Sequence, residues 1–246
     1  MSAETRVALV TGSSSGIGAA IALRLGAEGI RVVVNSARSV EAGEKVAAAL
    51  PDAVYIRADV SVPVQARELV EASVAHFGRL DLLVNNAGVT RVIPHADLAA
   101  VTPEVWREIL GLNVLGTWQT TVAAVPHLIA SGDGAVINIS SVAGRRAVGS
   151  SIPYAVSKAA IEHMTVLLAG AVGPHVRVNA VAPGLIATPW TRDSDFFAPI
   201  AEKVRQSTPL GRVGLPEDVA EAVIGLANAA YTTGHVLSVD GGAHLI

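Results

Sequence analysis

Over its first third the chain alternates short β-branched runs with amphipathic helical stretches, and no hairpin signal separates them. Residues 6–11, 31–35, 53–58 and 80–85 read as strands, and residues 19–25, 40–50 and 62–77 read as helices. Two strands joined through a helix must run parallel, and the crossover must be right-handed. The pattern therefore predicts a doubly wound α/β sheet with helices on both faces. Further strands at 135–139, 176–181 and 236–239 bring the parallel sheet to seven.

Ligands of such sheets bind beyond the carboxyl ends of the strands. That rule directs attention to a few short segments. The first strand stops at Gly12-Ser13-Ser14-Ser15-Gly16-Ile17-Gly18 and runs into the first helix. Glycines let a backbone approach a pyrophosphate, and the helix start presents free N–H groups to it. The spacing is G-x-x-x-G-x-G, and taken alone the segment also reads as an ordinary Gly/Ser turn. Ser36, Asp59, Asn85-Asn86-Ala87-Gly88 and Ser140-Ser141 fall on the same edge. An isolated aspartate at Asp59 reads as a helix-start or turn residue, but its place after an alternating strand points to the adenosine half of a nucleotide.

No Pro-rich, Ser-rich or charged linker and no repeat interrupts residues 1–246, so one domain is expected. Charged residues make up 16% and hydrophobic residues 51%, which suggests that surface is hidden by self-association. The formal charge of −3, with no basic cluster denser than Arg145-Arg146, indicates neither nucleic acid nor an anionic membrane as partner. Without cysteine there is no thiol chemistry. The seven histidines show no metal-ligand spacing, so no metal is expected. The N-terminal apolar run is too short for a signal peptide, and a cytoplasmic protein is expected. Residues 109–132 carry no formal charge and could span a bilayer by length. Their Asn113, Thr117, Gln119, Thr120 and Thr121 instead favour one long buried or subunit-facing helix, opened by Thr102 as cap and Pro103.

The chemistry is expected in residues 140–158. Pro153 opens a helix with apolar positions at Ala155, Ala159, Met164, Leu167 and Leu168, and on it Tyr154 and Lys158 share a face. A cation within ~4–6 Å favours a phenolate and lowers its pKa from about 10. Tyr154 could then serve as both acid and base. An exposed tyrosine beside a solvated lysine is the plainer reading of Tyr-x-x-x-Lys alone.

With Thr11-Gly12-x-x-x-Gly16-Ile17-Gly18, Asn85-Asn86-Ala87-Gly88, Asn113, Ser141, Tyr154-x-x-x-Lys158 and Pro183-Gly184 in this order, the chain resembles the short-chain dehydrogenase/reductase family from about Thr5 to Gly242. The resemblance implies a single-domain Rossmann-type fold and hydride exchange between a nicotinamide and a carbonyl or alcohol. It implies Tyr154 as acid/base and Ser141 as the hydroxyl on the same oxygen, this serine preceding the tyrosine by the family's thirteen residues. Lys158 would hold the nicotinamide ribose and lower the tyrosine pKa. Asn113 would hold a relay water through its backbone carbonyl. Gly12, Ser14, Ser15, Gly16, Ile17 and Gly18 would form the pyrophosphate turn, Asp59 and Val60 the adenine contact, and Asn86, Ala87 and Gly88 the adenosine-side loop. Pro183, Gly184, Ile186 and Thr188 would line the nicotinamide side. Two helices and the last strand would form the faces of a homotetramer.

Ser36 stands where NAD-preferring members carry an aspartate, which favours NADP(H), with NAD(H) kept open. Ala37 and Ser15 replace basic residues of many NADP enzymes, so Arg38 must supply the charge. The connection at 226–234 is shorter than the family's usual acidic one, which puts the approach to the last strand in doubt. A ketone or secondary-alcohol oxidoreductase is the leading expectation. A 3-oxoacyl-acyl-carrier-protein reductase is its rival, weakened because the helix through Asn113 has no Lys or Arg, although Arg145 and Arg146 could compensate. A non-catalytic cofactor sensor or scaffold is a third reading, disfavoured by the intact Tyr154 and Lys158. Substrate recognition is assigned to residues 90–97, 145–152 and 185–210, whose Trp190, Phe196 and Phe197 favour an apolar carbonyl or alcohol.

Overall fold

A computed structural model describes residues 5–192 and 196–245. Residues 1–4, part of the N-terminal segment read above, and residues 193–195 of the substrate segment lie outside the described residues. The elements follow in the order β1 (Val7–Val10), α1 (Gly16–Ala27), β2 (Arg31–Ser36), α2 (Val40–Ala48), β3 (Ala53–Arg57), α3 (Pro63–Phe77) and β4 (Leu82–Asn85). Then come α4 (Pro103–Leu110), α5 (Thr117–Ser131), β5 (Gly134–Ile139), α6 (Ile152–Val172) and β6 (Val176–Pro183). The chain closes with α7 (Pro189–Arg192), α8 (Phe197–Ser207), α9 (Pro216–Asn228) and β7 (Val236–Val239).

The seven strands form one sheet in the order β3-β2-β1-β4-β5-β6-β7, and all pairings are parallel. The chain leaves β1 in one direction through β2 and β3 and returns to β4 on its other side. The carboxyl ends of β1 and β4 therefore mark the switch point where such sheets open a crevice. Alternate strand residues face opposite ways: Ala8 and Val10 pack with α1 and α9, while Val7 and Leu9 pack toward α3 and α5.

The expected helix from Thr102 runs without interruption from Pro103 to Ser131, but it is not α-helical throughout. Between α4 and α5 the residues Gly111–Gly116 form a π-helical turn. The Thr117, Thr120 and Thr121 hydroxyls donate back to the carbonyls of Asn113, Gly116 and Thr117 at 2.7–2.8 Å. Such bonds bend helices, and π turns recur at functional sites. The uncharged stretch buries Asn113, Thr117, Thr120 and Thr121 against the rest of the fold. By length and composition α6 is the helix able to cross a bilayer, but it packs on β6 and buries Lys158 and Ser157. Its buried face runs through Ser157, Ile161, Thr165 and Leu168, whereas Leu167, also part of the apolar pattern, is 62% exposed. Helix α8, not expected from the sequence, buries none of its residues. The short connection before β7 is anchored: the Asn179 side chain donates to the Thr232 carbonyl, the Thr233 hydroxyl accepts from the Val178 N–H, and β7 pairs with β6 in register.

Candidate active site

A cleft of about 1270 Å³ runs along the carboxyl edge of the sheet. At one end lies the glycine turn. Gly12 and Gly16 adopt positive φ, which favours glycine. A Cβ on Gly18 would come within 2.5 Å of both the Gly12 carbonyl and the Asn86 side-chain nitrogen. Asn86 holds this turn by donating to the Thr11 and Gly12 carbonyls at 2.9 and 3.0 Å. Ser15, the N-cap of α1, makes no side-chain cap bond to the first turn. A turn whose glycine positions disfavour a side chain, beside a helix start without a side-chain cap, fits the pyrophosphate of a dinucleotide.

Asn35 belongs to this end and was missed in the sequence. Its Oδ1 accepts from the Gly12 N–H at 3.3 Å, and its Nδ2 donates to the Ile56 and Ala58 carbonyls at 3.1 Å. The one signal was an amide among valines at a strand's carboxyl end. Ser36 lines the cleft, but its hydroxyl lies 3.1 Å from the Ser39 carbonyl and 2.9 Å from the Tyr55 hydroxyl. Arg38 lines the same end and is exposed. Asp59 accepts from the N–H and hydroxyl of Ser61 and, with Val60, lines the wall. Ala87, Gly88, Ile17, Pro183, Gly184, Ile186 and Thr188 also line the cleft, whereas Ser14 does not.

At the other end, β5 delivers two serines that face opposite ways. The Ser140 hydroxyl is held by α6, donating toward the Lys158 carbonyl at 3.0 Å and Glu162 at 3.1 Å. Ser141 caps a short 3-10 turn, accepting from the Ala143 N–H at 3.2 Å, and its hydroxyl lies close enough to the Tyr154 phenol to favour the phenolate. Ser151 caps α6 by accepting from the Tyr154 N–H, which fixes where the tyrosine enters the helix. The Lys158 ammonium donates to the Ile139 carbonyl at 2.9 Å and sits 5.5 Å from the centre of the Tyr154 ring.

Asn113 is fully buried behind this group and does not line the cleft. Its side chain accepts from the Val89 N–H and donates to the Val89 carbonyl and the Ser157 hydroxyl. Its own carbonyl accepts from Thr117 at 2.8 Å, leaving a second lone pair.

The electrostatics depart from the expectation that Lys158 lowers the tyrosine. Burial pushes Tyr154 up to about 12, with the Ser141 hydrogen bond opposing it in part, and burial pulls Lys158 down to about 8. The lysine's charge does not offset the desolvation of the phenolate in this geometry, so Tyr154 is held as a proton donor. Among the described residues no group of three or more metal-ligating side chains occurs.

Comparison with known proteins agrees with this architecture. The family model described as enoyl-(acyl carrier protein) reductase matches residues 12–244. The chain is 74% identical over 243 residues to the granaticin polyketide synthase putative ketoacyl reductase 2 of Streptomyces violaceoruber, covering 99% of this chain and 98% of that one. It is 38% identical to the 3-oxoacyl-[acyl-carrier-protein] reductase FabG of Thermotoga maritima, covering 98% and 99%. The crystal structure of a putative short-chain dehydrogenase/reductase from Burkholderia xenovorans superposes with a TM-score of 0.91 at 35% identity, covering 99% of this chain and 100% of that one. The chain belongs to the short-chain dehydrogenase/reductase family of nicotinamide-dependent oxidoreductases.

Proposed function

We propose that the protein reduces the ketone of a β-ketoacyl-derived substrate to a secondary alcohol with NADPH, NADH being the poorer donor. The observation that carries this reading is that the Ser141 and Tyr154 hydroxyls line one cleft wall with the Lys158 ammonium 5.5 Å from the tyrosine ring centre. A nicotinamide held in the cleft would supply the hydride. Ser141 holds the carbonyl oxygen, and Tyr154 breaks its O–H bond to give that oxygen a proton. The Lys158 ammonium stabilises the phenolate left behind, and the Asn113 carbonyl holds the water through which the proton is restored. The glycine turn and the start of α1 hold the pyrophosphate, and Arg38 meets a 2′-phosphate where no carboxylate stands to repel it.

A ketoacyl group as substrate is supported by the names of the relatives from Streptomyces and Thermotoga. A second reading, in which the acyl chain arrives on a carrier protein, has its own support. Arg145 is paired with Glu162, Arg146 reaches the Ala243 carbonyl and Arg107 is paired with Glu104, but Arg107, Arg146 and Lys203 line the cleft and place cationic groups at its mouth for an acidic carrier. The protein acts as a cytoplasmic homotetramer, a reading supported by the apolar side chains exposed on α5 and α6.

The test measures NADPH consumption on an acetoacetyl thioester and on a simple ketone, with wild type and Tyr154→Phe. Loss of the transferable proton should lower turnover by about 10²–10⁴-fold and leave cofactor affinity nearly unchanged. Activity within tenfold of wild type sinks the assignment. A wild type that binds nicotinamide yet reduces no carbonyl returns the protein to the sensor reading.

A further inference from the structure

The 21 residues of α6 carry two formal charges, Lys158 and Glu162, and four residues apart on a helix they share a face. Lys158 lines the cleft, and Glu162 does not. The Glu162 side chain is only 12% exposed, and a charge held largely out of water is costly unless it is paired and hydrogen-bonded. Its partners lie on either side of Ser141. Oε1 faces the Ser140 hydroxyl at 3.1 Å, and Oε2 accepts from Arg145 Nε at 2.6 Å. Between them runs the 3-10 turn Val142–Gly144, which Ser141 caps. Each partner carries a second attachment. The Ser140 hydroxyl also reaches the Lys158 carbonyl at 3.0 Å, and Arg145 Nη2 donates to the Val236 carbonyl of β7 at 3.4 Å.

From this we infer that Glu162 is a positioning residue for the reaction: one carboxylate closes both ends of the loop that carries Ser141 and so sets where the Ser141 hydroxyl stands against Tyr154. Successive strand residues face opposite ways, so drawing Ser140 onto α6 turns Ser141 toward the cleft. The anchor sits on the helix that also carries Tyr154 and Lys158, and groups held on one rigid element keep a productive geometry better than a free loop does. Without the carboxylate the Ser140 hydroxyl still has the Lys158 carbonyl, but the Arg145 side chain is left with its long contact to β7, and the far end of the loop is released. The inference rests on the ketone-reducing reading above, in which Ser141 holds the substrate oxygen, and deepens it by naming what holds Ser141.

The experiment measures kcat and KM for an acetoacetyl thioester with NADPH, and the Kd of NADP⁺ by calorimetry, for wild type, Glu162→Met, Glu162→Gln and Arg145→Met, each with Ser141 intact and with Ser141→Ala. Glu162→Met should lower kcat about tenfold or more and leave NADP⁺ affinity within about threefold of wild type. Glu162→Gln should keep most of kcat, since its amide oxygen accepts from Arg145 and its nitrogen donates to the Ser140 oxygen. Arg145→Met should fall between the two. In the Ser141→Ala background, with no hydroxyl left to position, Glu162→Met should cost less than about threefold. An equal loss in both backgrounds, or no loss with Ser141 intact, overturns the inference while leaving ketone reduction standing. Amide hydrogen exchange over residues 141–148 needs no turnover and should speed up about tenfold in Glu162→Met and Arg145→Met, with β1 unchanged. Should no ketone be reduced, or Ser141→Ala match wild type, the reading of the reaction has failed and exchange alone decides: acceleration confined to the loop supports the bracket, and its absence rejects it. Should Glu162→Met fail to fold, Arg145→Met carries the same comparisons.

Discussion

The Lys158 ammonium donates to the Ile139 carbonyl at 2.9 Å while standing 5.5 Å from the centre of the Tyr154 ring, so one buried cation ties the end of β5 to the phenol's surroundings. Ile139 immediately precedes the two serines. The same contact therefore joins the strand that delivers Ser141 to the helix that delivers Tyr154.

The buried lysine makes stability depend on pH. Its folded pKa is lowered from 10.5 to about 8 by burial, so between about pH 8 and 10.5 the unfolded chain binds more protons than the folded one, and stability rises with pH across that window. Below pH 8 both states are charged and the penalty is constant. Tyr154, raised to about 12, gives the opposite slope only above pH 10. Relative to Lys158→Met, wild type should gain up to about 3 kcal/mol from pH 7.5 to 10. Urea midpoints at both pH values check this, and parallel profiles for the two proteins contradict it.

Gly144 controls the spacing of the catalytic loop from α6. A Cβ there would sit 2.9 Å from the Ala159 nitrogen and from the Lys158 carbonyl carbon, both backbone atoms that cannot swing away. Gly144→Ala should cost about 1–3 kcal/mol and push Ser141 away from Tyr154. We expect kcat to fall at least about tenfold, with a smaller change in cofactor affinity, because the glycine turn lies at the other end of the cleft. An unchanged kcat would show that the loop keeps its position by another route.

Four large apolar residues, Leu115, Trp118, Val122 and Ile129, stand exposed along one side of the π turn and α5, and Val156, Val166 and Leu167 stand exposed on α6. Covering them is what a tetramer would accomplish. The wild type should scatter light as a tetramer at micromolar concentration, and Val122→Glu with Leu167→Glu should yield smaller species. A monomeric wild type ends the proposal.

Hydrophobic period made the sheet legible, because parallel strands buried on both faces leave β-branched runs such as Val32-Val33-Val34 that nothing else in the chain imitates. The strand ends then pointed to Ser141, Asp59 and Gly12 without any knowledge of contacts. What stayed hidden was set by hydrogen bonds. The π turn is followed by three threonine hydroxyls that bond backward, which a hydropathy pattern does not register. Asn35 matters only because β2 brings it against Gly12. The Tyr154 pKa goes the other way because burial depends on neighbours distant in sequence, among them Trp190 of α7.

Cofactor choice rests on the pocket after β2. Ser36 places no negative charge there, but its hydroxyl proton has takers in the Ser39 carbonyl and the Tyr55 hydroxyl, so it offers a 2′-phosphate less than its type suggests. Arg38 lines the cleft. Arg57, opposite Ser36 in the register of β2 and β3, donates to the Ala37 carbonyl at 3.1 Å and adds positive charge to the same turn. A charge-assisted hydrogen bond contributes about 1.5–3 kcal/mol, or about tenfold to a hundredfold in affinity. Wild type should therefore prefer NADPH, Arg38→Ala should lose most of that preference, and Arg57→Ala a smaller part. Ser36→Asp should reverse it, since a carboxylate there repels the phosphate and accepts from a ribose diol. The ratio of kcat/KM for NADPH and NADH across the four proteins decides the matter. A wild type that prefers NADH, with a ratio indifferent to Arg38, would leave that arginine as a surface residue and the NADP assignment wrong.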